Sequence, residues 1–275
     1  MKNKKRNQHL LVHLILILGI GITILPFLWM IVTSFKTVGE SMAIPPTILP
    51  KSWDFKSYRD TIETLAFGTI YKNTIISTVV TVIAQISFCT MAGYAFGRLN
   101  FPGKNIIFVA LLAILMVPGQ IFLLPQYLIV QKLGLLNTIP ALFLPNLFSA
   151  FGTFLMRQFF MALPKELEEA ALLDGCGYFG LFSKIMLPLV KPGVVALTIF
   201  TAKFAWNDFM WPLIVNTDPN KMTLAPSLSL LKGQYATNYP GQMAGAVMSV
   251  IPMIILFFIF QKQFIEGVAQ TGIKG

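Results

Sequence analysis

Long apolar stretches separated by short polar ones run the length of the chain. Leu10–Phe35, Asn73–Gly97, Asn105–Gln131, Leu133–Met156 and Gly241–Gln261 contain no Asp, Glu, Lys or Arg, and Pro192–Val215 contains only Lys203 and Asp208. A helix needs about 20 apolar residues to cross a hydrocarbon core about 30 Å thick, so the pattern predicts six membrane-spanning helices. Prolines fall inside these stretches at Pro26, Pro118, Pro125, Pro145 and Pro252. Each removes an amide donor and kinks its helix, a defect that a bundle absorbs when the freed carbonyl finds a neighbour. Such kinks line a cavity in some bundles and are ordinary packing in others. The polar segments Lys36–Lys72 and Asn216–Pro240 are too short for independent domains.

Composition supports lipid as the solvent. Hydrophobic residues make up 55% of the chain and charged residues 12%, whereas a soluble domain carries about a quarter charged residues. The net charge of +10 raises nucleic acid as a partner. The Lys and Arg residues, however, sit in short segments between apolar runs, as membrane topology requires, and no nucleic-acid partner is expected. With the N-terminus inside, the cytoplasmic segments Met1–His9, Arg98–Lys104, Arg157–Lys191 and the tail from Lys262 hold 12 of the 21 basic residues. Cytoplasmic loops collect Lys and Arg, so both termini are expected in the cytosol. The basic start and Ser41-Met42-Ala43 loosely resemble a signal peptide, but an h-region is about 7–15 residues. The first apolar run is longer, and a retained span is expected. Cys89 and Cys176 read as unpaired, and neither CxxC nor HExxH is present, so no metal site is indicated.

The loop between the fourth and fifth predicted spans differs from the others. It reads Leu163-Pro164-Lys165-Glu166-Leu167-Glu168-Glu169-Ala170-Ala171-Leu172-Leu173-Asp174-Gly175. Pro164 suits a first helical turn, the glutamates favour the N-terminal end of the helix dipole, and Gly175 supplies a stop. Tyr178–Met186 then places Phe179, Phe182 and Met186 at helical spacing and ends at Leu187-Pro188. The prediction is two short helices joined by a glycine turn. Ala170, Ala171 and Gly175 offer small side chains for close approach of another protein, and Glu169 offers a charged anchor.

Glu169-Ala170-Ala171, Gly175 after three residues, and Ile185-Met186-Leu187-Pro188 after nine more resemble the EAA loop of ABC importer permeases. Tyr94-Ala95 with Arg98, Phe101-Pro102-Gly103-Lys104, Leu135 with Asn137-Thr138, and Arg157 with Phe159-Phe160 resemble the carbohydrate-uptake branch of that family. So do Trp206-Asn207-Asp208-Phe209, Trp211-Pro212-Leu213 and the tail Gly272-Ile273-Lys274-Gly275. The nearest pattern is the smaller, maltose-type second permease with six spans. The resemblance implies an all-α, polytopic type I importer fold in a bacterial cell membrane. Its parts would be a cytoplasmic N-terminus 1–9, a first helix with an external segment 10–72, a transmembrane domain 73–265 with its coupling loop at 161–191, and a cytoplasmic tail 266–275.

The same resemblance implies a non-catalytic subunit that works with a second, homologous permease, two cytoplasmic ATPase subunits and an extracytoplasmic sugar-binding protein. Glu169, Ala170, Ala171, Asp174, Gly175, Ile185, Leu187 and Pro188 would couple to the ATPase, with Ala170 and Ala171 packed in its cleft. Gly272, Ile273, Lys274 and Gly275 would reach between the ATPase subunits. The chain itself lacks GxxxxGK[ST], so ATP and magnesium would be bound by the partner. The same machine serving a non-sugar solute, and a self-sufficient secondary transporter, are the alternatives.

Polar groups inside apolar runs are candidates for the solute pathway, because they usually face the bundle interior or a cavity. Lys203, Asn207 and Asp208 share one span, next to Trp206. Pathway lining is one reading, and an interspan pair involving Lys203 or Asp208 is the other. Trp206 and Trp211 suit stacking on a sugar and equally suit a membrane interface. Gln85, Gln120 and Asn146 pose the same question more weakly. In Gly93-Tyr94-Ala95-Phe96-Gly97 the GxxxG spacing predicts close helix packing.

Overall fold

The structure is a computed structural model that describes the backbone of residues 2–232 and 237–272 and the side chains of 12–232 and 237–261. The helices that organise it, in chain order, are α1 (Lys2–Ser34), α2 (Lys56–Thr64), α3 (Phe67–Arg98), α4 (Lys104–Ala113), α5 (Leu123–Lys132) and α6 (Ile139–Phe143). They continue with α7 (Ala150–Met161), α8 (Glu166–Leu173), α9 (Lys191–Trp206), α10 (Met210–Val215) and α11 (Tyr239–Gly272). No strand occurs among the described residues. The chain is an all-α polytopic membrane protein.

Three of the six predicted spans are single helices. Val12–Ser34 of α1, α3, and Tyr239–Gln261 of α11 are each long and apolar enough to cross a membrane. Pro26 and Pro252 lie inside α1 and α11 without ending them. The other three are bent pairs: Lys104–Met116 with Gly119–Lys132 at 100°, Ile139–Asn146 with Ala150–Met161 at 47°, and Tyr178–Leu189 with Lys191–Trp206 at 76°. Counting each pair as one span gives six.

Two of the bends interrupt continuous spans that the apolar pattern predicts, and each of the two has a local cause; the third, at Val190, falls just before the predicted stretch Pro192–Val215. Val117 is extended, φ −93° and ψ 128°, ahead of Pro118; the proline ring disfavours helical backbone in the preceding residue. The stretch predicted to begin at Leu133 becomes helical only at Ile139, because Gly134 and Asn137 take positive φ. Farther on, Pro145 interrupts, and Ser149 starts α7 by accepting the Gly152 amide. The stretch Pro192–Val215 divides at Asn207–Phe209 into α9 and α10.

The described residues fall into two compact units. In the unit made of residues 1–67 and 227–251, the end of α1 meets a cluster of rings. Phe35 lies 5.1 Å from Trp53, 5.2 Å from Phe55 and 5.4 Å from Tyr58. The Ser34 hydroxyl shares a 2.8 Å hydrogen bond with Tyr58, and the Lys36 ammonium sits over Trp29. Within the same unit the Thr61 hydroxyl donates to the Gly241 carbonyl. The apolar side chains of α1 from Val12 to Trp29 are exposed, the surface expected of a helix solvated by lipid or by other spans.

In the unit made of residues 68–226 and 252–275, α3, α7 and α9 pack around Cys89, Met156, Phe160 and Leu197, all buried. Gly93 makes the α3–α7 approach possible. A Cβ there would stand 2.6 Å from the Cβ of Met156 and 2.9 Å from the amide nitrogen of Arg157. One turn on, a Cβ at Gly97 would stand 3.3 Å from Phe160, so the GxxxG pair meets α7 as its spacing predicts. A second cluster, Val130, Ala141, Leu142, Trp211 and Val215, joins α5, α6 and α10. Gly93→Ala is therefore expected to cost about 1–3 kcal/mol through overpacking, seen as a lower thermal midpoint in detergent. Gly68→Ala on the same helix, where a Cβ meets open space, is expected not to lower it. Equal midpoints for the two variants would contradict this packing.

Candidate functional site

Residues 163–189 form the predicted pair of helices, with detail that the sequence does not show. Helix α8 starts with Glu166, Glu168 and Glu169 in its first turn. It ends in a Schellman turn: Gly175, at φ +79°, donates to the Leu172 carbonyl, and Cys176 donates to the Ala171 carbonyl over 3.0 Å. Left-handed backbone at that position favours glycine. The second arm, Tyr178–Leu189, contains a π turn at Leu181–Met186. Single π turns inside helices are frequent at functional sites.

The two faces of α8 do different jobs. Ala171 and Glu168 face inward. Ala171 belongs to the same buried cluster as Tyr94, Phe160, Leu181 and Met186. Glu166, Glu169, Ala170 and Leu173 are exposed and recur at the three- and four-residue spacing of one helix face. The resemblance implied that Ala170 and Ala171 both pack in a partner's cleft; Ala170 is exposed, whereas Ala171 is 7% exposed in the chain's own core. Asp174 and Gly175 are exposed and form the turn, Ile185 and Leu187 pack partly buried against the core, and Pro188 is exposed. Leu173, Tyr178 and Phe179, none of them a candidate contact in the sequence reading, are 88%, 70% and 80% exposed. Their signal was an apolar residue on the outward face of a loop helix.

The loop is tied to α3 by Arg98. Its Nε donates to Glu168 Oε1 over 2.6 Å, and its two terminal nitrogens donate to the carbonyls of Leu163 and Pro164, both over 3.1 Å. Side-chain exposure is 5% for Arg98 and 18% for Glu168, so the pair is shielded from water. Breaking such a pair by removing one member costs about 3–5 kcal/mol, because a buried charge is left alone. Tyr94 adds ring contacts at 5.3 Å to Phe160 and 5.2 Å to Phe182. Alongside lies a cleft of about 810 Å³ lined by Tyr94, Arg98, Phe101, Glu168, Leu172 and Phe182, among others. Nearby, Arg157 donates to the Phe96 carbonyl and stacks 4.2 Å from the centre of the Phe108 ring.

The groups proposed for the solute pathway are mostly explained by the break between α9 and α10. Asn207 folds its side-chain amide back onto the Lys203 carbonyl over 2.8 Å, closing the end of α9. Asp208 stands in the break between α9 and α10, half-buried just ahead of the first turn of α10. Lys203 is exposed, and among the described residues no ion pair is found at Lys203 or Asp208. The ion pair found among the described residues is Arg98–Glu168.

Trp206 is buried and meets Tyr71 edge-on at 5.6 Å. Trp211 is buried and donates to the Ala141 carbonyl. Both indoles therefore pack inside this chain. Gln85 makes a polar bridge: it donates to the Asn146 carbonyl and accepts from the Thr201 hydroxyl, both over 2.8 Å. Gln120 is exposed. Of the tail, Ile273, Lys274 and Gly275 lie outside the described residues, and Gly272 is described only as the last residue of α11.

A polytopic helical chain with an ordered loop of acidic, small and apolar residues on its outward face suits a membrane transport subunit. The family described as "Binding-protein-dependent transport system inner membrane component" matches residues 89–270, and the chain belongs to it. It is 37% identical over 257 residues to the "Arabinooligosaccharides transport system permease protein AraQ" of Halalkalibacterium halodurans, covering 92% of each chain. It is 34% identical to the "Diacetylchitobiose uptake system permease protein NgcG" of Streptomyces coelicolor, covering 94% of this chain and 86% of that one. The "sn-glycerol-3-phosphate transport system permease protein UgpE" of Brucella suis is 30% identical, with 96% and 97% covered. The solved structure of a bacterial ABC transporter involved in the import of the acidic polysaccharide alginate shares the fold, with a TM-score of 0.80 at 23% identity and coverage of 95% and 98%.

Gly175→Ala is expected to strain the Schellman turn by about 1–2 kcal/mol, lowering the thermal midpoint of the purified protein. Gly175→Asn is expected to lower it less, since asparagine visits left-handed backbone more readily. An alanine variant at least as stable as the wild type would contradict the turn.

Proposed function

We propose that this chain is one of two permease subunits of an ATP-driven importer for an oligosaccharide, and that the 161–191 loop is its contact with a cytoplasmic ATPase. The observation that carries this reading is the exposed stripe Glu166, Glu169, Ala170 and Leu173 on a helix whose other face is locked to the bundle. Carboxylates flanking a small residue and a protruding leucine suit a basic, grooved partner. Glu169 is the anchor for an Arg or Lys there, while Ala170 permits close approach. Asp174 and Gly175 shape the end of the stripe, and Ile185, Leu187 and Pro188 carry its motion into α9. ATP and magnesium belong to the ATPase. A homologous permease completes the pathway, a sugar-binding protein delivers the solute from outside, and both termini lie in the cytosol. Gly272, Ile273, Lys274 and Gly275 extend toward the ATPase subunits.

The relatives named for arabino-oligosaccharides and diacetylchitobiose support a sugar. The relative named for sn-glycerol-3-phosphate favours a second reading, in which the same machine carries a small polyol phosphate. In either case this chain offers few ligand groups of its own, because Trp206 and Trp211 are buried in packing. Lys203 is the exposed polar group on α9 that remains a candidate for the pathway.

The test is ATP hydrolysis by the reconstituted complex with its binding protein. The panel is arabino-oligosaccharides, diacetylchitobiose and sn-glycerol-3-phosphate. Stimulation by a sugar is expected in the wild type, and Glu169→Lys is expected to lower it about tenfold or more, the effect of opposing a charge at a contact. Normal stimulation in an assembled Glu169→Lys complex would sink the loop assignment. Stimulation by the polyol phosphate alone would select the second reading.

A further inference from the structure

We propose that Arg98 is a positioning residue that makes the loop and α3 move as one body. It does so from behind the partner-facing stripe, and the inference rests on the reading that this stripe meets an ATPase. Arg98 is the last residue of the 32-residue helix α3. Its guanidinium holds three groups from two parts of the loop: the carbonyls of Leu163 and Pro164 in the chain entering α8, and the Glu168 carboxylate on α8 itself. A planar fork grips several acceptors at fixed angles, which an ammonium cannot reproduce. Leu163 and Pro164 precede α8, so their carbonyls have no place in its hydrogen-bond ladder. Arg98 supplies the donors that orient this entry.

Burial is what gives the tie its stiffness. With the Arg98 side chain 5% exposed, sliding the loop along α3 would strand a charge where water does not replace the lost partners. The ring contacts of Tyr94 with Phe160 and Phe182 are apolar and non-directional, and on their own they would let the second arm slip. Adjacent acids thus divide the work. Glu168 faces in and fixes the helix, while Glu169 faces out and is free to pair with a partner. A push on the stripe then reaches α3 through hydrogen bonds at the end of a continuous helix.

The test uses the complete transporter in lipid vesicles, with its ATPase, second permease and binding protein, and the sugar that stimulates the wild type most. The readout is solute transported per ATP hydrolysed by assembled complexes. Glu168→Gln and Arg98→Gln are expected to lower this ratio about fivefold or more, the low end of usual coupling energies, while ATP turnover itself continues. The double variant is expected to be no worse than the worse single one, because either change breaks the same tie. Arg98→Lys is expected to fall between, keeping the charge and losing the fork. Assembled variants with the wild-type ratio, or losses that add in the double variant, would overturn the proposal and leave the ATPase contact standing. A wild type that no sugar and binding protein stimulate would overturn the ATPase contact and this inference with it.

Discussion

Inside a bilayer every backbone amide and carbonyl must find its partner within the protein, and the breaks in this fold show how the chain meets that demand. At the bent pair of α6 and α7, side chains stand in for the missing helical bonds. Thr138 accepts the Ala141 amide at the start of α6, and Ser149 accepts the Gly152 amide at the start of α7. Asn137 accepts the amides of Thr217 and Asp218, while Asn216 donates to the carbonyls of Thr138 and Lys221, so two loops far apart in sequence serve as each other's caps. Asn73 does the same for the carbonyls of Asn220 and Met222. Bent spans are tolerable because their ends are filled in this way.

The loop at 161–191 is built on the same logic. Its first helix is short, and a helix of that length is marginal without tertiary support. Three supports are present: the Schellman turn at Gly175, burial of Ala171 in the core, and the Arg98 fork at the entry. Together they fix which face points out. The π turn at Leu181–Met186 then lets the second arm turn its apolar residues back onto Tyr94 and Phe160. Function follows from this division, since a loop that merely connected two spans would have no need of a defined outer face.

Much of the architecture was legible in the apolar pattern, because a membrane span announces itself by length and lack of charge. The glycine turn and the two helices of the loop were legible from Pro164, the glutamates and Gly175. The bend at Val117–Pro118 was visible only as a proline, since sequence does not say whether a bundle will straighten it; Pro26 and Pro252 sit in unbroken helices. Trp206 and Trp211 were open to a sugar and to a membrane interface alike, since indoles suit both, and the structure buries both in packing. The resemblance singled out Glu169, whereas nothing along the chain marked Glu168 for an inward role. The distinction is which acid faces an arginine 70 residues away, a fact of tertiary geometry.

The most direct measurement is crosslinking at the two adjacent alanines. In a Cys176→Ser background, the Ala170→Cys and Ala171→Cys variants of the assembled transporter would be labelled with a maleimide–benzophenone reagent and irradiated, and the products resolved by mass. The account predicts a product joining the Ala170→Cys permease to the ATPase and none from Ala171→Cys, whose position is turned into the core. Products from both variants, or from Ala171→Cys alone, would mean that the outward face of this helix is not the one described, and the account of coupling would fail with it.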